Sequence, residues 1–80
     1  MPRKVVVDSG PLVALFDKHD EHHARSLGFV RRLVGEAISY LAVVTEVVYL
    51  LDFSPRAQID FLTWVRRGGL SLVELEAATA

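Results

Sequence analysis

The chain has 80 residues, which is enough for one small domain but not for two. Hydrophobic residues make up 51% of the sequence, and that share excludes an intrinsically disordered chain. The absence of cysteine excludes a disulfide framework and a cysteine zinc site, and a net charge of −1 provides no overall basic field that would attract nucleic acid. We therefore expect one domain with a thin hydrophobic core.

The N-terminus gives no sign of export. The apolar run at residues 5–7 follows a short basic segment and is too short for a signal peptide. Uninterrupted apolar stretches elsewhere fall short of the roughly 18 residues that a membrane span needs. We expect a cytoplasmic protein with no membrane partner.

The first predicted strand is the β-branched run at residues 5–7, which has the composition of a buried parallel strand. Ser9 is a candidate N-cap for a short helix, with Pro11 in its first turn. After a polar loop, a second helix is predicted at about residues 22–34, and Gly35 is predicted to cap its end. The residues expected to face inward from these helices are Leu12, Leu15, Phe16, Leu27, Val30, Leu33 and Val34.

A short second strand is predicted at residues 37–40, followed by a third helix. Ser54 and Pro55 predict the start of a fourth helix, which the glycine pair at residues 68–69 ends. The residues expected to face inward from the third and fourth helices are Val43, Val47, Leu50, Leu51, Phe61, Leu62 and Val65.

The chain closes with a third predicted strand at residues 70–75, and residues 76–80 could begin another helix. The predicted order is then strand, two helices, strand, two helices, strand. Such alternation favours a parallel sheet with crossover helices. The predicted fold class is α/β.

Two of the ten acidic residues, Asp8 and Glu46, stand where acids are unusual. Asp8 follows the first strand, and ligands of open α/β sheets bind beyond the carboxyl ends of the strands. Glu46 lies among valines, where a carboxylate is costly unless a cation or hydrogen bonds compensate, and Mg²⁺ prefers such hard oxygen ligands. The alternatives are that Asp8 caps the following helix and that Glu46 lies on the exposed side of its helix.

The segment Val-Val-Val-Asp-Ser-Gly-Pro-Leu-Val-Ala-Leu at residues 5–15 resembles the opening strand and helix of PIN domains, and in particular the VapC-like toxins of bacterial toxin–antitoxin pairs. Residues 20–23, 43–51 and 69–75 resemble, in the same order, the family's acidic loop ending in histidine, its third helix and its third strand. The resemblance covers the whole chain. It implies that residues 1–80 form the N-terminal part of one Rossmann-like, three-layer α/β/α PIN domain, truncated after the third strand.

The resemblance also implies a function. PIN domains are metal-dependent ribonucleases, and Asp8 and Glu46 match catalytic acids that bind Mg²⁺ or Mn²⁺. The ions orient and activate a water and stabilise the phosphate during RNA cleavage. Ser9 and Thr45 match neighbouring hydroxyl positions that could orient the acids, although Ser9 could equally serve as a helix cap.

The implied partners are an RNA substrate, a cognate antitoxin and further copies of the chain. In the family's sheet the first strand is central, so a chain that stops after the third strand would leave an apolar edge open to pairing. We therefore expect a homo-oligomer.

The family's third acid, an aspartate, lies well beyond the third strand, and Glu74 and Glu76 are in the wrong segment to replace it. We therefore expect this chain alone to be a weak or inactive enzyme. The alternative function is that of an inactive PIN fragment that acts as a protein–protein interaction module or has no function.

Histidines and arginines offer two further hypotheses. His19, His22 and His23 could bind a metal, and the arginine pairs at residues 31–32 and 66–67 could contact phosphates. Both sets also fit an ordinary role as solvated surface residues.

Overall fold

The computed structural model describes residues 3–33 and 35–73. Its elements are, in chain order, β1 (Arg3–Val6), α1 (Ser9–Phe16), α2 (His23–Arg32), β2 (Gly35–Tyr40), α3 (Leu41–Leu50), α4 (Pro55–Arg66) and β3 (Ser71–Val73). The strands form a parallel sheet in the order β1-β2-β3. The predicted α/β class is confirmed, and the arrangement is consistent with part of a three-layer α/β/α, Rossmann-like fold.

The two faces of the sheet differ in how well they are covered. Side chains alternate along a strand, so Val5, Val7, Ala37 and Ser39 share one face. Val7 and Ala37 belong to the hydrophobic core. On the opposite face Val6 is 64% exposed, so the core lies on the first face.

The core is built mainly from α1, α3 and α4. Val47, Leu51 and Phe61 are 0% exposed. The ring of Phe16 packs edge-on against that of Phe61, with 5.5 Å between their centroids, and it also contacts Trp64. Edge-on aromatic pairs add about 0.5–1.5 kcal/mol to the stabilisation from burial alone. This aromatic cluster ties α1 to α4.

The predicted ends of α4 are confirmed. Ser54 is the N-cap, and its Oγ accepts a hydrogen bond from the Ala57 N–H at 3.1 Å, while Pro55 opens the helix. The helix ends at Arg66, and Gly68 follows with a φ of +93°. Glycine adopts this backbone conformation without the steric cost that a Cβ would add.

The prediction that Ser9 caps α1 is wrong. Asp8 is the N-cap, with extended backbone, and its Oδ1 accepts a hydrogen bond from the Ser9 N–H at 2.8 Å. Ser9 is the first residue of the helix. The capping role considered for Asp8 is therefore confirmed, because its carboxylate satisfies an N–H group that has no partner within the helix.

The prediction that Gly35 caps α2 is also wrong. The helix ends at Arg32, Leu33 is already extended, and Gly35 is the first residue of β2. The chain therefore enters the second strand two residues earlier than predicted. Val34, which was predicted to lie inside the helix, is outside the described residues. Residues 74–80, where the last part of the third strand and a further helix were predicted, are also outside them.

In α3 the inward face is rotated from the predicted one. Val44 and Val47 are buried in the helix, together with Leu51 just after it, whereas Leu50 is exposed. In α4 the predicted inward residue Leu62 is exposed too. Because α3 is apolar almost all round, its sequence does not determine which face is buried.

Candidate functional site

Asp8 and Glu46 belong to two segments that follow neighbouring parallel strands. β1 leads through Asp8 into α1, and β2 runs directly into α3, which carries Glu46. The carboxyl ends of parallel strands lie at one edge of the sheet, and α1 packs against α3 there. The fold therefore brings both acids to the edge at which α/β proteins bind ligands.

Ser9 connects the two acids. Its backbone N–H donates to Asp8 Oδ1 at 2.8 Å, and its Oγ donates to Glu46 Oε1 at 3.2 Å. Each carboxylate thus lies one hydrogen bond away from the same residue. The structure brings together Asp8, Ser9 and Glu46, and Ser9 holds the position of Glu46, as a residue that orients a site acid would.

Both carboxylates are exposed to solvent. The alternative that Glu46 lies on the exposed side of its helix is confirmed, since Val47 points into the core and Glu46 lies on the outer side of α3. No desolvation cost therefore requires a cation at this position. An exposed pair of carboxylates still suits Mg²⁺, which keeps several of its waters when it binds protein.

Among the hydrogen bonds of the described residues, none joins Thr45 to Asp8 or Glu46. Its Oγ1 donates to the Leu41 carbonyl at 3.1 Å, one turn back along α3. Such a bond is common for threonine inside a helix and occupies the hydroxyl proton. Ser9, and not Thr45, is the hydroxyl residue of this site.

The acidic loop between α1 and α2 is shaped by its own side chains. Asp17 and Asp20 each accept a hydrogen bond from the backbone N–H two residues further on, at 3.0 and 2.8 Å. Aspartate often forms this bond in turns. The His23 ring lies with Nδ1 2.9 Å from the Ala14 carbonyl, which fastens the start of α2 to α1. These contacts give the loop a structural role.

The described part of the chain offers a two-carboxylate site and no larger one. Within residues 3–33 and 35–73, no group of three or more His, Cys, Asp or Glu side chains is placed to hold a metal ion. Two carboxylates completed by water are a ligand set of the kind that Mg²⁺ accepts. Their affinity for the ion is expected to be low, because water supplies most of the ligands.

The arginine pairs lie at helix ends. Arg31 and Arg32 occupy the last turn of α2, and Arg66 and Arg67 lie at the end of α4; all four are exposed. Positive charge at a helix C-terminus is favoured by the helix dipole. Their positions therefore fit the solvated interpretation without a bound phosphate.

A groove of about 440 Å³ runs beside Asp8, and no sequence pattern predicted it. It is lined by β1, α1 and α2, mostly with apolar side chains, and Phe29 on α2 is 44% exposed there. Of the two acids, Asp8 lines this groove and Glu46 does not. The apolar walls of this groove do not attract phosphate.

No helix in the described ranges has both the length and the apolar character needed to cross a membrane. No protein-family model matches the chain, and no curated protein matches it significantly. The resemblance to PIN domains therefore rests on the residues of this sequence alone, and the activity that it implies is a proposal.

Proposed function

We propose that this chain is part of a PIN-type, Mg²⁺- or Mn²⁺-dependent endoribonuclease, of the kind that acts as the toxin of a toxin–antitoxin pair. The observation that carries the proposal is the hydrogen bond from Ser9 to Glu46, two residues that lie 37 positions apart. Together with the bond from Ser9 to Asp8, it joins both acids of the PIN-like pattern at one sheet edge. Helix capping alone accounts for Asp8 but not for the link to Glu46.

The residues have different roles in the proposed reaction. Asp8 binds the divalent ion directly, and Glu46 binds it directly or through a water. Ser9 holds the Glu46 carboxylate through its hydroxyl, next to the residue that accepts the Ser9 N–H. The bound ion supplies Lewis acidity for activating water and stabilising the phosphate. No side-chain nucleophile is required, which agrees with a sequence that has no cysteine.

We expect the activity of this chain to be weak. Asp8 and Glu46 are the two site acids among the described residues, and a third carboxylate for a second ion is not found there. The turnover of purified chain should therefore lie well below about 1 s⁻¹, the lower end of ordinary enzymes.

Binding of Mn²⁺ tests the site independently of turnover. Electron paramagnetic resonance of free Mn²⁺ should show weak binding to the chain that is lost in Asp8→Asn. Ser9→Ala should weaken the affinity by about tenfold, as changes to a residue that orients a ligand usually do. Asp52→Asn is the matched control, because Asp52 is also exposed but lies in the turn after α3. Equal binding by the chain and by Asp8→Asn would refute the metal site.

Cleavage of single-stranded RNA tests the reaction. Slow cleavage that requires Mg²⁺ or Mn²⁺ and disappears in Asp8→Asn supports the enzyme. Cleavage that persists in Asp8→Asn indicates a contaminating nuclease and contradicts the proposal.

A second candidate function is that of a protein–protein interaction module. The observation that favours it is the exposed apolar side of β1, where Val6 is 64% exposed. Stable association with another chain, without metal binding and without RNA cleavage, would support the function of a protein–protein interaction module.

A further inference from the structure

The hydrophobic core encloses a serine. Ser39 on β2 is 1% exposed and is the buried polar residue of the described ranges. Its Oγ donates a hydrogen bond to the Val7 carbonyl at 2.9 Å. This bond offsets the cost of burying the hydroxyl, which would otherwise lose its hydrogen bonds to water. Ala37, two residues earlier on the same face of β2, is buried without a polar side chain, so the core itself does not require one.

Ser39 lies where the first two strands begin to diverge. β1 is aligned with β2 as far as Val6, and the Val7 N–H adds one bond, to the Ile38 carbonyl at 2.9 Å. After that point β1 leads into α1, and β2 leads into α3. The Ser39 hydroxyl thus joins the two strands at the edge of the sheet from which both helices leave.

The bond acts on the peptide group that leads into Asp8. The Val7 carbonyl, the Asp8 N–H and the Asp8 Cα lie in one plane, because a peptide bond is planar. A hydrogen bond that holds this carbonyl therefore fixes the plane from which Asp8 departs. At its side chain, Asp8 Oδ1 accepts a hydrogen bond from the Ser9 N–H at 2.8 Å. Asp8 is thus held through its backbone by Ser39 and through its carboxylate by Ser9.

The same bond also affects the position of Glu46. Ser39 is two residues before the start of α3, the helix that carries Glu46. The distance between the ends of β1 and β2 therefore influences the distance between α1 and α3. That second distance decides whether Ser9 Oγ reaches Glu46 Oε1, to which it donates at 3.2 Å. Ser39 acts on both acids without contacting either carboxylate in the hydrogen bonds of the described residues.

We propose that Ser39 is a positioning residue for the pair Asp8 and Glu46. Its hydroxyl ties the carboxyl ends of β1 and β2 together and so sets the direction and spacing of the two carboxylates. This role rests on the proposed function, since it concerns the residues that bind Mg²⁺ or Mn²⁺ there. Altering a residue that orients metal ligands typically changes metal affinity by about 10–100-fold.

A purely structural role for Ser39 predicts a different result. If the hydroxyl only satisfied the Val7 carbonyl, its loss would lower the stability of the chain but not the metal affinity of the molecules that remain folded. Ser54 provides the comparison, because its Oγ also makes one hydrogen bond to the backbone, at 3.1 Å. Ser54→Ala removes the same chemical group from a position outside β1, β2 and α1.

Mn²⁺ binding, followed by electron paramagnetic resonance, tests this role in the full chain at a temperature where circular dichroism shows each variant to be folded. Ser39→Ala should bind Mn²⁺ at least about tenfold more weakly than the parent chain. Ser39→Cys fills a similar volume but offers only a weak S–H donor. It should therefore also lose affinity, and it provides the test if the alanine variant does not fold. Ser54→Ala should keep the affinity of the parent.

The outcomes separate the role of Ser39 from the metal site itself. Parent affinity in folded Ser39→Ala or Ser39→Cys, alongside parent binding that Asp8→Asn abolishes, would overturn the role of Ser39 and leave the metal site standing. An equally large loss in Ser54→Ala would show that general loosening of the fold is enough, and would also overturn it. A parent chain that binds no Mn²⁺ through Asp8 would refute the proposed function, and the role of Ser39 with it.

Discussion

Helices α2 and α4 are similar amphipathic helices with different surroundings. α4 buries Ala57 and Phe61, packs against α1 and α3, and starts at a serine cap. α2 has no buried residue, packs mainly against α1, and starts at His22, whose side chain makes no capping bond. Helices of this length derive most of their stability from packing and not from their own sequence. We infer that α4 lies in the stable region of the molecule, whereas α2 is less stable and more open.

The largest expected effect comes from replacing the same residue type in both regions. Phe61→Ala removes a ring that is 0% exposed and should cost about 3–5 kcal/mol in the free energy of unfolding. Phe29→Ala removes a half-exposed ring from α2 and should cost about 1 kcal/mol or less. Urea unfolding of both variants and the parent, at one and the same chain concentration, measures the two losses.

At about 0.05–0.15 kcal/mol per residue, a chain of 80 residues is stable by about 4–12 kcal/mol, so Phe61→Ala should remove roughly a quarter of the stability or more. Equal losses in the two variants would show that α2 packs as tightly as α4, which would contradict the comparison.

The second effect concerns glycine. A Cβ at Gly69 would fall within the Trp64 ring, whereas a Cβ at Gly10 in α1 would meet nothing within 4 Å. Gly69→Ala should therefore destabilise the chain by about 1–3 kcal/mol, because Trp64 or the backbone must move. Gly10→Ala should stabilise it by about 0.5–1 kcal/mol, because alanine favours the helix. Thermal unfolding of both variants is the measurement, and a neutral Gly69→Ala would show that Trp64 repacks without cost.

The smallest effect concerns the helix caps. Ser54→Ala removes the hydrogen bond to the Ala57 N–H and should cost about 1 kcal/mol. His22→Asn supplies a capping side chain to α2 and should add up to about 1 kcal/mol. Midpoints of urea unfolding report both changes, provided that the slope with urea is unchanged. A loss in His22→Asn would mean that the His22 ring, 3.2 Å from Glu21, matters more than the cap.

The elements that could be predicted from the sequence are those with local causes. The valines of residues 5–7, the Ser54–Pro55 cap and the glycines after α4 act over a few residues. The cap and the end of α4 agree with the structure, and the first strand exists but spans Arg3–Val6 instead of residues 5–7. The buried face of α3 could not be predicted, because apolar residues surround that helix and the choice depends on what packs against it. The aromatic cluster was missed for the same reason, since Trp64 meets Phe16 through tertiary contact.

The candidate site also combines features that could be predicted from the sequence with features that depend on tertiary contacts. The positions of Asp8 and Glu46 after successive strands could be read from the order of the elements. The exposure of Glu46 was one of two alternatives that the sequence left open, because valines surround Glu46 and the buried face of α3 depends on what packs against it. The bond from Ser9 to Glu46 depends on the distance between α1 and α3, which local sequence does not specify.

The bond between Ser39 and Val7 has a consequence for synthesis. These residues lie 32 positions apart, so β1 must wait for β2 before the first ladder can form. At ribosomal rates of about 5–20 residues per second, that delay is roughly two to six seconds. During this time both edges of β1 are open. Ribosome-stalled chains that end before β2 should therefore crosslink to chaperones. Stalled chains that are long enough to expose β2 should crosslink less. A strand that must wait so long for its partner is exposed to mispairing before the fold exists.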